Sequence, residues 1–81
     1  MIVRVKLFAL AAQLAAAEEV DVQLEADGSI GDLRRAIADK CPALERIMPH
    51  LMFAINSEYA ADSTQIPLSA EIACIPPVSG G

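Results

Sequence analysis

The residues of this 81-residue chain that could support chemistry lie at its end, in the run Ile75-Pro76-Pro77-Val78-Ser79-Gly80-Gly81. Consecutive prolines fix φ and favour an extended, polyproline-like rod, which holds the residues after them away from the folded body. The four residues after Pro77 reach about 13 Å when extended. Gly80 and Gly81 have no Cβ atom, so their backbone can enter a channel too narrow for other residues and carry the α-carboxylate to another protein's catalytic groups.

A carboxylate is a poor electrophile, so chemistry at Gly81 requires activation, and formation of an acyl-adenylate from ATP is the direct route. The adenylated carbonyl can then be attacked by a sulfur nucleophile, giving a thiocarboxylate, or by an amine, giving a conjugate with another protein. The chain has no phosphate-binding glycine loop, so ATP must be bound by a partner enzyme. We predict Gly81 as the reacting residue; a frayed terminus without a role is the alternative.

Other residue types offer little for catalysis. The sequence has no Gly-x-Ser-x-Gly elbow and no metal-spaced cluster, and its single histidine, His50, follows a proline in a predicted loop. Cys41 and Cys74 are far apart and form no Cys-x-x-Cys pair, so we interpret both as buried thiols. We expect a chain without catalytic machinery, bound cofactor or metal site of its own.

Composition and charge restrict the class of partner. With 54% hydrophobic and 21% charged residues in so short a chain, the composition is that of one globular domain. The net charge of −5 argues against nucleic acid and anionic membranes as partners, because both require a basic surface. Every charged side chain after Arg46 is acidic. This distribution fits either a solvated surface or steering toward a basic docking face.

The apolar stretch Leu7 to Ala17 follows two basic residues and resembles a secretory signal peptide. Gln13 interrupts the stretch, however, and the alternation within Ile2 to Phe8 is that of a half-exposed strand. The stretch is also shorter than the roughly 20 apolar residues that span a bilayer. We therefore expect a strand and a short helix here rather than a signal peptide. A single possible disulfide, between Cys41 and Cys74, is weak evidence for secretion, and we expect a cytoplasmic protein.

Hydrophobic periodicity predicts an alternation of strands and helices. A strand over Ile2 to Phe8 is followed by a short helix over Ala9 to Ala17, and a second strand covers Val20 to Glu25. Leu51 to Asn56 and Glu71 to Ile75 are predicted as later strands, with a turn and a short extended piece between them.

The main helix has clear limits. Ser29 and Asp32 form a predicted capping box at its start, and Pro42 ends it. An apolar stripe faces the sheet, and we expect Arg34, Arg35 and Asp39 to face water. The stripe consists of Ile30, Leu33, Ala36 and Ile37. One helix laid across a sheet indicates a two-layer α+β domain over residues 1–77, followed by an extended tail over residues 78–81.

Three segments resemble the sulfur carrier subunit of molybdopterin synthase, a member of the ubiquitin-like β-grasp proteins. Pro76-Pro77-Val78-Ser79-Gly80-Gly81 looks like that family's Pro-Pro-Val-x-Gly-Gly ending, Val5-x-Leu7-Phe8-Ala9 like its first strand, and Ile55-Asn56-x-Glu58-Tyr59 like its Val-Asn-x-Glu-Tyr segment. One departure is Leu68-Ser69-Ala70-Glu71-Ile72, which lacks the Gly and Asp that the family usually has before its last strand. The departure puts the turn geometry in doubt.

The resemblance implies a β-grasp domain, with a mixed sheet on one main helix and a flexible Gly-Gly tail. It further implies that an adenylyltransferase related to ubiquitin-activating enzymes uses ATP to activate Gly81, and that persulfide sulfur converts it to a thiocarboxylate. The thiocarboxylate would then donate sulfur to a cyclic pyranopterin in the large subunit, within a heterotetramer of two large and two small subunits.

By the same resemblance, both partners would grip an apolar sheet surface near the tail. Phe8 and Ile75 flank the tail if the first and last strands pair, although either could equally belong to the core. The predicted partner-binding set is Phe8, Ile75, Pro76, Pro77, Val78, Ser79 and Gly80. Alternative functions are a carrier for thiamine thiazole synthesis, a protein modifier that is joined to lysines, and a passive interaction module.

Overall fold

A computed structural model describes residues 1–77 of the chain. Its helices and strands in chain order are β1 (Ile2–Leu7), α1 (Ala9–Ala15), β2 (Glu19–Gln23), α2 (Ile30–Lys40), β3 (Met52–Ile55), β4 (Glu58–Ala60) and β5 (Ile72–Ile75). Two single 3-10 turns, Pro42–Leu44 and Met48–His50, connect α2 to β3. The predicted tail, residues 78–81, lies outside the described residues.

The five strands form one mixed sheet in the order β2-β1-β5-β3-β4. β1 pairs antiparallel with β2 and parallel with β5, and β3 pairs antiparallel with both β5 and β4. The last strand therefore lies in the middle of the sheet, and the predicted pairing of first and last strands is confirmed. One main helix against a mixed sheet also confirms the predicted α+β class.

The core lies between α2 and one face of the sheet. In β1 the side chains alternate as predicted, with Val3, Val5 and Leu7 buried and the residues between them exposed. Ile30, Leu33 and Ile37 of α2 are fully buried against this face. The other strands contribute Val20, Val22, Phe53, Ile72 and Cys74. The buried residues thus recur every second position in the strands and every three to four positions in α2, so that the sheet and the helix cover the same core from two sides.

The predicted capping box starts α2. The Asp32 backbone N–H donates to the Ser29 hydroxyl at 3.2 Å, and the Ser29 N–H donates to the Asp32 carboxylate at 3.0 Å. The bond from the Ser29 backbone lowers the pKa of Asp32, because it favours the charged carboxylate. Two helical N–H groups that the helix itself cannot satisfy are covered in this way.

Some boundaries differ from the predictions. α1 ends at Ala15 because Ala16 adopts a left-handed conformation, φ 55°, which closes the helix. β5 begins at Ile72, since the Glu71 backbone is instead bound by Asn56, whose side-chain oxygen accepts from the Glu71 N–H at 2.9 Å. Ser69, within the segment that departs from the family pattern, has φ 61°, a conformation that favours glycine.

The expectation that Arg34 faces water is wrong. Its guanidinium donates to the carbonyl oxygens of Met48 and Leu51 at 2.6 and 2.8 Å, pairs with Asp62 at 2.9 Å, and lies 5.0 Å from the centre of the Phe53 ring. The cause is the chain between α2 and β3, which presents these two carbonyl groups to Arg34. The Met48 carbonyl accepts from the Leu51 N–H of its own turn at 3.2 Å as well as from Arg34. Arg34 therefore joins this connection to the helix.

We predict that Arg34→Met lowers the free energy of unfolding by about 2–3 kcal/mol, because two carbonyls lose a charged donor. Arg35→Met is the matched control. Arg35 is mostly exposed, and its one bond within residues 1–77 is to Asp32 of its own helix, so we expect a change within about 0.5 kcal/mol. Urea unfolding measures both. Equal losses in the two variants would contradict this role of Arg34.

Candidate functional site

The central position of β5 decides where the chain leaves the domain. Because β1 runs parallel to β5, Phe8 at the end of β1 lies beside the end of β5, and the Phe8 N–H donates to the Cys74 carbonyl at 3.2 Å. Antiparallel β3 brings Met52 opposite Ile75. Phe8, Ile75 and Met52 thus form a row across the sheet where the backbone continues into Pro76.

This row lies on the sheet face opposite α2. Cys74 and Phe53 of the neighbouring positions are buried in the core, so strand alternation turns Ile75 and Met52 to the open face. A second row on the same face contains small residues, Ala73 and Ala54, between larger ones. We call this surface the apolar patch and define it as Phe8, Met52, Ala54, Tyr59, Ala73 and Ile75.

The patch is exposed and has a depression. The exposed fractions of Phe8, Met52 and Tyr59 are 46%, 44% and 66%. Because alanines lie between these larger side chains, a shallow cavity of about 300 Å3 opens along the patch. A contiguous exposed apolar surface with a concave centre is typical of a protein-binding site.

One ion pair borders the patch. The ammonium of Lys6 lies 3.3 Å from the carboxylate of Glu71, and both side chains are more than half exposed. Such exposed pairs contribute little to stability because water screens them. The patch therefore has a polar border that can exchange partners without disturbing the fold.

Comparison with known proteins shows the family. The ThiS family model matches residues 5–81. The chain belongs to the ThiS family. It is 41% identical to the molybdopterin synthase sulfur carrier subunit of Caenorhabditis briggsae, over 98% of this chain and 96% of that protein. The resemblance to ubiquitin-like sulfur carriers is thereby confirmed.

Solved structures of similar proteins confirm the ubiquitin-like β-grasp fold of this ThiS family member. The crystal structure of small archaeal modifier protein 1 from Haloferax volcanii matches with a TM-score of 0.87 and 34% identity, covering both chains completely. A complex of subunits 1 and 2 of the Helicobacter pylori molybdopterin-converting factor contains a chain that matches over the full length of both chains, with a TM-score of 0.69. At 23% identity, that likeness concerns the fold alone.

The structure brings together two of the predicted partner-binding residues of this ThiS family chain. Phe8 is exposed and Ile75 half-buried, so neither belongs to the buried core. Their role in binding a partner stays a prediction. Pro76 is half-buried and Pro77 exposed. Val78, Ser79, Gly80 and Gly81 lie outside the described residues, so their predicted roles stay predictions.

Sequence reasoning missed Met52 and Tyr59 as members of the patch. Alternation within the predicted strand Leu51 to Asn56 could have assigned Met52 to one face. Which face, and which neighbours, follows only from the pairing of Met52 with Ile75 and of Tyr59 with Ala54. The missing information was the register between distant strands.

Thiol chemistry in this ThiS family domain is restricted by burial. Cys74 is fully buried beneath the patch, and burial raises the pKa of its thiol to about 11. Cys41, at the end of α2, is only half-buried, so the expectation of a buried thiol is wrong there: the helix ends at this residue and leaves one side open.

Within residues 1–77, no three His, Cys, Asp or Glu side chains could together hold a metal ion. No helix in the described range is long and apolar enough to cross a membrane.

We predict that iodoacetamide at pH 8 modifies Cys41 in the native protein and spares Cys74. With a pKa of about 11, only about one Cys74 thiol in a thousand is ionised at that pH, and the thiolate is the reactive form. Peptide mass spectrometry after labelling, with urea-unfolded protein as the control for full reactivity, measures this. Native labelling of Cys74 as fast as of Cys41 would refute the prediction.

Proposed function

We propose that this chain is the sulfur carrier subunit of molybdopterin synthase. Gly81 is adenylated by a partner enzyme, converted to a thiocarboxylate, and donates its sulfur to a cyclic pyranopterin precursor in molybdenum cofactor biosynthesis. The main support is the 41% identity, over nearly the whole of both chains, to a protein of that name. The Pro76-Pro77-Val78-Ser79-Gly80-Gly81 ending supports it further.

The position of the apolar patch fits this cycle. Residues 78–81 reach about 13 Å from Pro77, so any active site that acts on Gly81 must belong to a protein covering this end of the sheet. The apolar patch lies at the same end and can bury Phe8, Ile75 and Met52 in such a contact. The activating enzyme and the large synthase subunit therefore use overlapping surfaces and bind in turn.

The chemistry at Gly81 needs no catalytic side chain from this domain. The carboxylate attacks the α-phosphate of ATP in the activating enzyme and releases pyrophosphate. The terminal sulfur of a donor persulfide then displaces AMP from the acyl carbon, which gives an acyl disulfide. A second thiol of the donor protein attacks the cysteine sulfur of this disulfide, so the thiocarboxylate is released and the donor is left as a disulfide. After sulfur transfer in the large subunit, water restores the carboxylate. The dithiolene requires two donations, which fits an assembly of two large and two small subunits.

One observation favours a second function, protein modification. The curated small archaeal modifier protein 1 of Haloferax volcanii is 34% identical to this chain over 94% of its length. A modifier would use the same adenylate, but an amine would attack it in place of sulfur. The two functions therefore differ in the nucleophile that attacks the adenylate. A carrier for thiamine thiazole synthesis would use the same sulfur chemistry and differ in the molecule that accepts the sulfur.

We expect the intact mass of the protein to rise by the difference between sulfur and oxygen after incubation with the activating enzyme, ATP and a sulfide source. A variant lacking Gly81 should show no change, because the reacting carboxylate has moved. An unchanged wild-type mass, with ATP-pyrophosphate exchange proving that the enzyme is active, would exclude the sulfur carrier. Higher-mass adducts that resist thiols would instead support a modifier.

Phe8→Ala should weaken binding to the large subunit by about 30-fold, since a buried aromatic anchor typically contributes about 2 kcal/mol or more. Ile2→Ala is the matched control. Ile2 is also an exposed apolar residue on this face of β1, but it lies at the other end of the strand, away from the apolar patch. Isothermal titration calorimetry measures both affinities. Equal loss in the two variants would argue against the apolar patch as the contact.

A further inference from the structure

A second depression lies on the other side of β1. This groove, of about 370 Å3, runs between the start of α1 and the entry to β2. Its lining residues are Lys6, Leu7, Phe8, Ala9, Ala12, Glu18 and Glu19. Lys6 and Phe8 also line the cavity of the apolar patch. They form a ridge with one depression on each side, so a protein seated on the patch reaches the groove without a gap.

The floor of the groove is apolar and its rim is acidic. Leu7, Ala9 and Ala12 have apolar side chains, and the small alanines leave the space open. Glu18 and Glu19 border it where the chain enters β2, and both are exposed. The groove thus has apolar side chains along its floor and carboxylates at one side.

These carboxylates are incompletely neutralised. Arg4 lies 3.5 Å from Glu19 but makes its shorter contact, 3.0 Å, with Asp21. The described ion pairs of residues 1–77 do not include Glu18. Lys6 pairs with Glu71 on the opposite side of the ridge. The groove is therefore negative where it is open to a partner.

We propose that this groove receives an arginine side chain of the protein that docks on the apolar patch. An arginine stem is aliphatic and packs on Ala9 and Ala12, which are exposed and half-buried, respectively, while its planar guanidinium can lie against Phe8 and pair with Glu18 and Glu19. The proposal rests on the proposed function, since it requires a protein that covers the patch. It adds to that function an acidic subsite, formed by Glu18 and Glu19, beside the apolar anchor Phe8.

The charge is tested by the double variant Glu18→Gln/Glu19→Gln in complex with the large subunit, using surface plasmon resonance. The control is Glu25→Gln/Asp27→Asn, which removes the same charge from exposed residues beyond the other end of β2. We expect the groove variant to raise koff about 10-fold and the control less than about 2-fold, because a contact pair acts mainly on dissociation whereas distant charge acts on association. A change confined to kon would overturn the subsite in favour of long-range steering.

The shape is tested without a change of charge by Ala12→Met, which fills the groove with a good helix former. Gln13→Met, at an exposed position of the same helix, is its control, and urea unfolding verifies that both variants fold. We expect koff to rise only for Ala12→Met. Unchanged koff in both groove variants, while Phe8→Ala still weakens binding, would overturn the arginine subsite and leave the docking surface intact.

If the wild-type protein forms no complex with the large subunit, the proposed function fails, and the failure is separate from that of the groove. The same variants are then measured against the activating enzyme, which must also cover this end of the sheet. The groove proposal requires that Glu18→Gln/Glu19→Gln and Ala12→Met raise koff from the activating enzyme more than their two control variants do. The absence of this increase overturns the proposal.

Discussion

The parallel hydrogen bonding between β1 and β5 determines where the candidate functional residues within residues 1–77 lie. It joins the first and last strands of the domain, so the end of the folded chain emerges from the middle of the sheet. Phe8 is placed beside Ile75 by this pairing, and β3 then adds Met52 from the other side. Without it, the apolar patch and the exit of the chain would lie on different parts of the molecule.

The sheet face that is covered by α2 supplies the core, so the open face does not have to contribute to stability and can remain apolar. α2 and its buried stripe supply the core, and Arg34 fastens the connection between α2 and β3 through two carbonyls. Stability therefore comes from one side of the sheet, and the exposed side chains of the patch are free to serve a partner. In such a division, changes at Phe8 or Tyr59 affect recognition more than folding.

Local patterns in the sequence predict much of this fold. The alternation in Ile2 to Phe8 identifies the buried face of β1, and Ser29 with Asp32 locates the start of α2, because both signals depend only on neighbouring residues. Features that depend on distant residues were not predictable in the same way. Arg34 was expected in water because its carbonyl acceptors belong to a connection without periodicity, and Met52 and Tyr59 acquire their neighbours only through strand register. Gly81 was predicted as the reacting residue from residue types alone, namely glycines after prolines; it lies outside the described residues, and its role stays a prediction.

The parallel arrangement of β1 and β5 also has a mechanical consequence. The N-terminal end of β1 and the C-terminal end of β5 lie at opposite ends of adjacent strands, so tension applied between the two termini loads their shared hydrogen bonds together, in shear, and cannot open them one at a time. β3 holds β5 along its other edge in the same manner. A domain built this way keeps its sheet intact when a force pulls on the end of β5.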